Sequence, residues 1–297
     1  MSDLTAPGGD DQVVPTCPRH PDVISYVRCA RCGRPTCPTC QRQAPVGIQC
    51  VDCVRESAKN VRRPQSPYGG AVVERPTVTY ALIATCVVVY LGQMLVPGLD
   101  RQVLFAPVIG ESQPWRFITA AFAHGSLVHI GFNMLCLYQF GDALERALGH
   151  WRYLTVYLIS ALGGSVGYLL LSSPVVTASQ PTSSWYTPVV GASGAVFGLF
   201  GAMIVLALKA GSDIRGLLVF LALNGALGFI LPNVAWQAHL GGLITGAACA
   251  GVVLLADRGA ARGRNLQWLG LAAIAALLVA ATVVKYASVS SVPVLGA

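Results

Sequence analysis

A chain of 297 residues can hold one large domain or two ordinary ones, but its composition narrows the choice. With 54% hydrophobic and only 11% charged residues, and a mean hydropathy of +0.59, it has too few polar side chains to cover a soluble globule, and it reads as a membrane protein. The net charge of +7 argues little for nucleic acid, because Lys and Arg fall mostly between apolar runs, where they set orientation; no nucleic-acid partner is expected.

The opening stretch, MSDLTAPGGDDQVVPT, is acidic and polar, and no secretory signal is expected there. Residues 1–16 are expected to be a disordered N-terminus on the cytosolic side. Seven of the ten cysteines then crowd into residues 17–53, which in a reducing compartment points to metal rather than disulfides. The ligands come as four pairs with two intervening residues: Cys17/His20, Cys29/Cys32, Cys37/Cys40 and Cys50/Cys53. Such a spacing lets one tight turn aim both side chains at one tetrahedral ion, so four pairs make two four-coordinate zinc sites. So short a segment builds little core, and metal would supply most of its folding energy.

This array resembles B-box zinc domains. The resemblance implies interleaved sites, one formed by Cys17, His20, Cys37 and Cys40 and the other by Cys29, Cys32, Cys50 and Cys53. The departure is at Cys50 and Cys53, which follow a longer gap and stand where that family has histidines. With every ligand position filled, the two ions are expected to be structural, and the module to bind a cytosolic partner that the sequence does not name.

Residues 54–76 carry charges, three prolines and a Gly-Gly pair without periodicity, the composition of a linker. Beyond them, seven apolar runs approach the length needed to cross a bilayer, at about 78–97, 127–145, 151–171, 190–208, 215–232, 234–256 and 267–286. If the first runs outward, one face receives Arg146, Arg152, Lys209, Arg215, Arg258, Arg262 and Arg264, and the other Arg101, Arg116 and Lys285. That bias keeps the N-terminus inside, and the plasma membrane is the expected location.

Polar side chains at membrane depth are costly and are therefore candidates for function. Ser193 in the fourth run, His239 in the sixth, and His129 and Asn133 in the second all lie within the first turns of runs that cross in the same direction. Taken singly, each has a plainer reading: Ser193 as a small residue in a helix contact with Gly194, Gly198 and Ala202, the others as interhelical hydrogen-bonding groups. Taken together they occupy one layer. A serine becomes a nucleophile when an imidazole takes its proton, and amide or ring N–H groups can then hold the oxyanion. No carboxylate lies at that depth, so the pair would be a dyad.

Gly191-x-Ser193-Gly194, Ala238-His239 with Gly242-x-x-x-Gly246, and His129-x-x-x-Asn133 resemble the rhomboid family of intramembrane serine proteases. Trp115-Arg116 and Gly141-x-x-x-Glu145-x-x-x-Gly149 extend the match. The resemblance implies an all-α membrane protein: a rhomboid-like six-helix bundle over residues 77–256, with a seventh transmembrane helix and tail over 257–297, preceded by the zinc-stabilised domain. It further implies Ser193 as nucleophile, His239 as general base, and His129, Asn133 and the Ser193 N–H as oxyanion donors. Substrates would be single-span membrane proteins in the lipid bilayer, cleaved in a wet cavity beneath the outer loops near Trp115 and 172–188, with no cofactor for catalysis. Phe197 stands where several members have a tyrosine stacked on the histidine, and keeps only the stacking face. The rival within the family is a non-catalytic protein that binds or escorts membrane clients. A transporter would need charged residues at mid-membrane, and a zinc metalloprotease an H-E-x-x-H motif; neither is present in the sequence.

Overall fold

A computed structural model describes residues 14–60, 66–68, 70–174, 183–230, 234–256 and 261–290. The chain forms two compact units, Met1–Arg63 and Pro64–Ala297. Most of the N-terminal stretch expected to be disordered, part of the expected linker and residues 175–182 of the 172–188 loop lie outside the described residues.

The first unit is built from two antiparallel ribbons: β1 (Thr16–Cys17) with β2 (His20–Ile24), and β3 (Gln41–Gln43) with β4 (Ile48–Cys50). Helix α1 (Val51–Asn60) follows. It runs from the last ligand pair into the stretch read as linker, where Glu56, Ala58 and Lys59 are good helix formers. The buried interior of this unit is made of the cysteines themselves, with Val51 packed on Cys17, Cys37 and Cys40. Its larger apolar side chains, Val23, Ile24, Tyr26 and Val46, are exposed. An interior of thiols without an aliphatic core gives such a unit little stability of its own.

The second unit is helical: α2 (Thr77–Leu95), the short α3 (Leu99–Val103), α4 (Pro107–Gly110) and α5 (Arg116–Thr119), then α6 (Leu127–Leu148), α7 (His150–Leu170), α8 (Ser193–Lys209), α9 (Arg215–Ile230), α10 (Trp236–Leu255) and α11 (Ala261–Ser290). Each of the seven expected spans has its helix. Four of them, α2, α7, α10 and the stretch Asn265–Val289 of α11, are long and apolar enough to cross a membrane; the apolar helix Ser193–Lys209 and the stretch Arg215–Ala226 are shorter. Burial ranks them: 67% of the apolar window of α7 is inside, against 17% for α2 and 11% for α11. So α7 is central, and the outer helices present Val88, Leu91, Leu95, Leu277, Val283 and Val284 to the surroundings, an apolar exterior suited to lipid.

Two boundaries differ from expectation. Helix α11 starts at Ala261, ahead of the apolar run expected from 267, because a helix can continue past the hydrocarbon it crosses. The junction between the fifth and sixth spans falls between Ile230 and Trp236, and residues 231–233 lie outside the described set.

Polar side chains fasten the segments around this bundle. The buried Glu145 carboxylate accepts hydrogen bonds from Val78 N (2.9 Å), Thr79 N (2.8 Å) and Thr79 Oγ1 (2.7 Å), and it also meets His150 Nδ1. Carried by α6, it thus caps the first turn of α2, whose amides have no partner within their own helix. Arg116, 6% exposed, donates to the carbonyl oxygens of Arg101 and Leu104, both at 2.7 Å, and ties α3 and its exit to α5. Phe105 and Val189 then pair backbone to backbone in both directions, at 3.0 and 2.7 Å, joining this connection to the segment that enters α8.

Candidate active site and metal centres

The sequence motif around Ser193 produces a break and a start. Gly191 has φ +130°, a conformation that an L side chain rarely adopts, and a Cβ there would lie 2.7 Å from His129 Nε2. Its N–H is held by the Ala120 carbonyl at 2.9 Å. Helix α8 therefore begins at Ser193 itself, later than the run of apolar residues suggested, and the Ser193 N–H becomes one of the free donors of a helix N-terminus.

Close helix contact brings the imidazole to this serine. A Cβ at Gly242 on α10 would overlap the carbonyl oxygen of Gly194 on α8, so backbone touches backbone one turn after His239. In that arrangement His239 Nε2 lies 2.9 Å from Ser193 Oγ. The Phe197 ring stacks on the imidazole at 4.1 Å between centroids and 7° between planes. Among the described residues no hydrogen-bond partner meets His239 Nδ1. The imidazole is thus oriented by packing, with no carboxylate bonded to its Nδ1 among the described residues. The small-residue reading of Ser193 and the dyad reading turn out to be compatible, since Gly194 and Gly198 make the helix contact while Ser193 faces the histidine.

His129, the third residue of α6, accepts from Gly125 N at Nδ1 (3.4 Å), which puts the proton of a neutral ring on Nε2, beside Gly191. Asn133, 4% exposed, donates one amide hydrogen to the His129 carbonyl at 2.9 Å. Sequence reasoning missed His124, a buried ring edge-on to His129 at 5.2 Å. It also missed the role of Gln93, which bonds both the N–H (2.9 Å) and the carbonyl (3.3 Å) of His124 and secures the turn before α6. Five residues before His129, His124 follows neither helical nor strand spacing, so no periodicity marks it.

A rhomboid domain model matches residues 111–256 of this chain. The chain belongs to the rhomboid family. It is 30% identical over 216 residues to rhomboid protease GluP of Bacillus subtilis (strain 168), covering 68% of this chain and 39% of that protein. With RHOMBOID-like protein 2 of Arabidopsis thaliana it shares 38% identity over 193 residues, 57% of this chain and 56% of the relative. RHOMBOID-like protein 6, mitochondrial, of the same plant is 38% identical over 155 residues, 50% of this chain and 46% of that protein. The chain thus spans about half the length, or less, of these curated relatives. Family and apolar helices together make it an integral membrane protein.

The N-terminal unit of this rhomboid-family chain contains two ligand clusters, Cys17–His20–Cys37–Cys40 and Cys29–Cys32–Cys50–Cys53, whose ligand atoms lie within 4.8 Å of one another in each. This is the interleaved grouping. Cys32 Sγ and Cys50 Sγ are 3.8 Å apart, close to the edge of a tetrahedron with metal–sulfur bonds of about 2.3 Å; Cys37 Sγ and Cys40 Sγ lie 3.2 and 3.4 Å from His20 Nδ1. All ten cysteines are free. Amides of Cys50 and Cys53 donate to the sulfurs of Cys29 (3.2 Å) and Cys50 (3.4 Å), the outer support a thiolate site uses. The Cys37 backbone amide draws the Cys17 thiol down to about 6, whereas burial pushes Cys40 up to about 11 and Cys53 up to about 12. Both clusters can hold a metal ion, and the donor set suits one that takes the place of the protons.

Proposed function

We propose that the chain is an intramembrane serine protease that hydrolyses peptide bonds in or near the transmembrane segment of single-span proteins. The observation that carries this reading is the 2.9 Å approach of His239 Nε2 to Ser193 Oγ. Ser193 Oγ–H donates to the imidazole, and as Oγ attacks the scissile carbonyl carbon its proton passes to Nε2. The developing oxyanion is met by the Ser193 N–H at the start of α8, by His129 Nε2–H and by the second amide hydrogen of Asn133. The imidazolium returns its proton to the leaving amine, which frees the acyl-serine. Water then loses a proton to His239 and adds to the ester carbon; as the C–O bond to Ser193 breaks, the imidazolium returns that proton to Oγ and the new carboxyl terminus leaves. Phe197 holds the ring flat through both steps.

By the positive-inside bias, the first turns of α6, α8 and α10 face the outside, with the N-terminal unit in the cytosol and the protein in the plasma membrane. The two ligand clusters are read as structural zinc sites, since thiolate and imidazole donors in fours favour that ion and leave no position for water, and the module they hold as a binding site for a cytosolic partner. The escort reading is disfavoured by a complete dyad with its stacked support.

A fluorophosphonate probe applied to the full chain in lipid tests the reading. Labelling is expected at Ser193 and is expected to vanish in His239→Ala; labelling that persists without the histidine, or settles on another residue, overturns it. Gly242→Val probes the helix contact behind the dyad. The added side chain must push α8 and α10 apart at Gly194, and a displacement of about 1 Å at reacting atoms costs on the order of 100-fold in rate. Cleavage is expected to fall by at least that factor, read as kcat on a single-span substrate.

A further inference from the structure

Helix α11 takes no part in the chemistry proposed above, and it is the least buried of the four helices long and apolar enough to cross a membrane. It is nevertheless fastened by specific polar contacts. Near its start the buried Gln267 accepts from Arg152 Nε (2.7 Å) and donates to the Val253 carbonyl (3.0 Å). Near its end Lys285 Nζ donates to the Leu170 carbonyl at 3.2 Å. Gln267 and Lys285 are as far apart along α11 as Arg152 and Leu170 are along α7, so the two helices run parallel and in register.

One side chain reaches past this seam. Tyr286, 7% exposed, donates its hydroxyl to the Pro107 carbonyl at 2.7 Å and sets its ring edge-on against Trp185, 5.8 Å between centroids. Pro107 opens α4, and Trp185 lies in the segment leading to α8. Those two segments are clasped to each other: Val108 N donates to the Trp185 carbonyl at 3.1 Å, and Phe105 and Val189 exchange both backbone bonds. Two residues after Val189 comes Gly191, held by Ala120 and lying against His129, and two more lead to Ser193. Tyr286 touches both halves of the clasp, one through its hydroxyl and the other through its ring. A phenol in an apolar setting loses free energy unless its hydroxyl is bonded, so this contact selects one position of the 105–108 segment rather than merely docking a helix.

We propose that Tyr286 is a positioning residue for Ser193, acting through the Phe105–Val189 clasp. The seventh helix thereby sets the geometry of a site it does not line. The proposal rests on the catalytic reading of Ser193 for its consequence in rate, and on the clasp alone for its mechanical part.

Tyr286→Phe in the full chain removes the hydroxyl and keeps the ring. We expect kcat on a single-span substrate about tenfold lower with KM within about twofold of the unsubstituted protein, the pattern of a lost transition-state geometry. Amide hydrogen exchange at Phe105, Val189 and Gly191 is expected to quicken by about tenfold, a local opening that leaves global unfolding unchanged. Thr282→Val, which removes the hydroxyl bonded to Leu278 within the same helix, is the control and should alter neither. Unchanged exchange at the three amides in Tyr286→Phe, or an equal rise in Thr282→Val, overturns the proposal; so does faster exchange with an unaltered kcat. Failure of the unsubstituted protein to take the serine probe sinks the catalytic reading instead, and the exchange measurement still decides whether Tyr286 secures the clasp.

Discussion

Replacing Ser193 by Ala is expected to lower kcat for cleavage of a single-span substrate by about three orders of magnitude or more, without changing the thermal midpoint of the helical unit. The serine packs at the first turn of α8 with its hydroxyl against the His239 ring, so removing Oγ deletes the proposed nucleophile and creates no cavity of consequence. His239→Ala is expected to cost nearly as much, and the double variant no more than either single one. Groups that act as one unit in proton transfer and attack are grossly non-additive. The proposed dyad would make this sharper than a triad, because His239 Nδ1 meets no hydrogen-bond partner among the described residues that could be lost separately. Steady-state kinetics on the three variants check it. Near-full turnover by the serine variant, or effects that multiply in the double variant, would assign the chemistry elsewhere.

Stripping the N-terminal unit of metal is the second large effect. The full chain is expected to hold two zinc ions, measured by elemental analysis, and a strong chelator is expected to leave residues 14–60 open to protease while the helical unit keeps its circular dichroism. Structural zinc supplies on the order of 10–16 kcal/mol in small modules, and the interior here is thiols with Val51 rather than an aliphatic core. Interleaving makes the loss cooperative. The Cys29/Cys32 pair lies in the chain between the two pairs of the other cluster, so Cys29→Ser is expected to release both ions and open the whole module. Protection that persists in the metal-free protein would show that the ribbons stand by themselves.

Much of this was legible before any coordinates, for reasons that differ by residue. The ligand pairs are legible because a metal site made by tight turns is a local pattern: two intervening residues bring both donors to one ion whatever surrounds them. The seven helices are legible because lipid imposes length and apolarity on the sequence itself. Ser193, His239, His129 and Asn133 stand out because a polar group in an apolar run is conspicuous. By contrast, the start of α8 at Ser193 depends on the backbone of Gly191, whose φ +130° is set by the Ala120 carbonyl and the His129 ring. The capping of α2 by Glu145 joins residues far apart in the chain, and no spacing rule announces it.

The amino-acid sequence by itself determined the class of the protein, the order of its helices, the eight candidate metal ligands and the four polar residues of the proposed site, since each follows from composition or from spacing within a few residues. Only the tertiary structure decided that the serine and the histidine meet at 2.9 Å, that Phe197 lies flat on the imidazole, and that Tyr286 reaches the Pro107 carbonyl. Those contacts are made between helices distant in sequence. The first two depend on how closely backbones approach at Gly194 and Gly242, a property of two packed surfaces that neither segment carries alone.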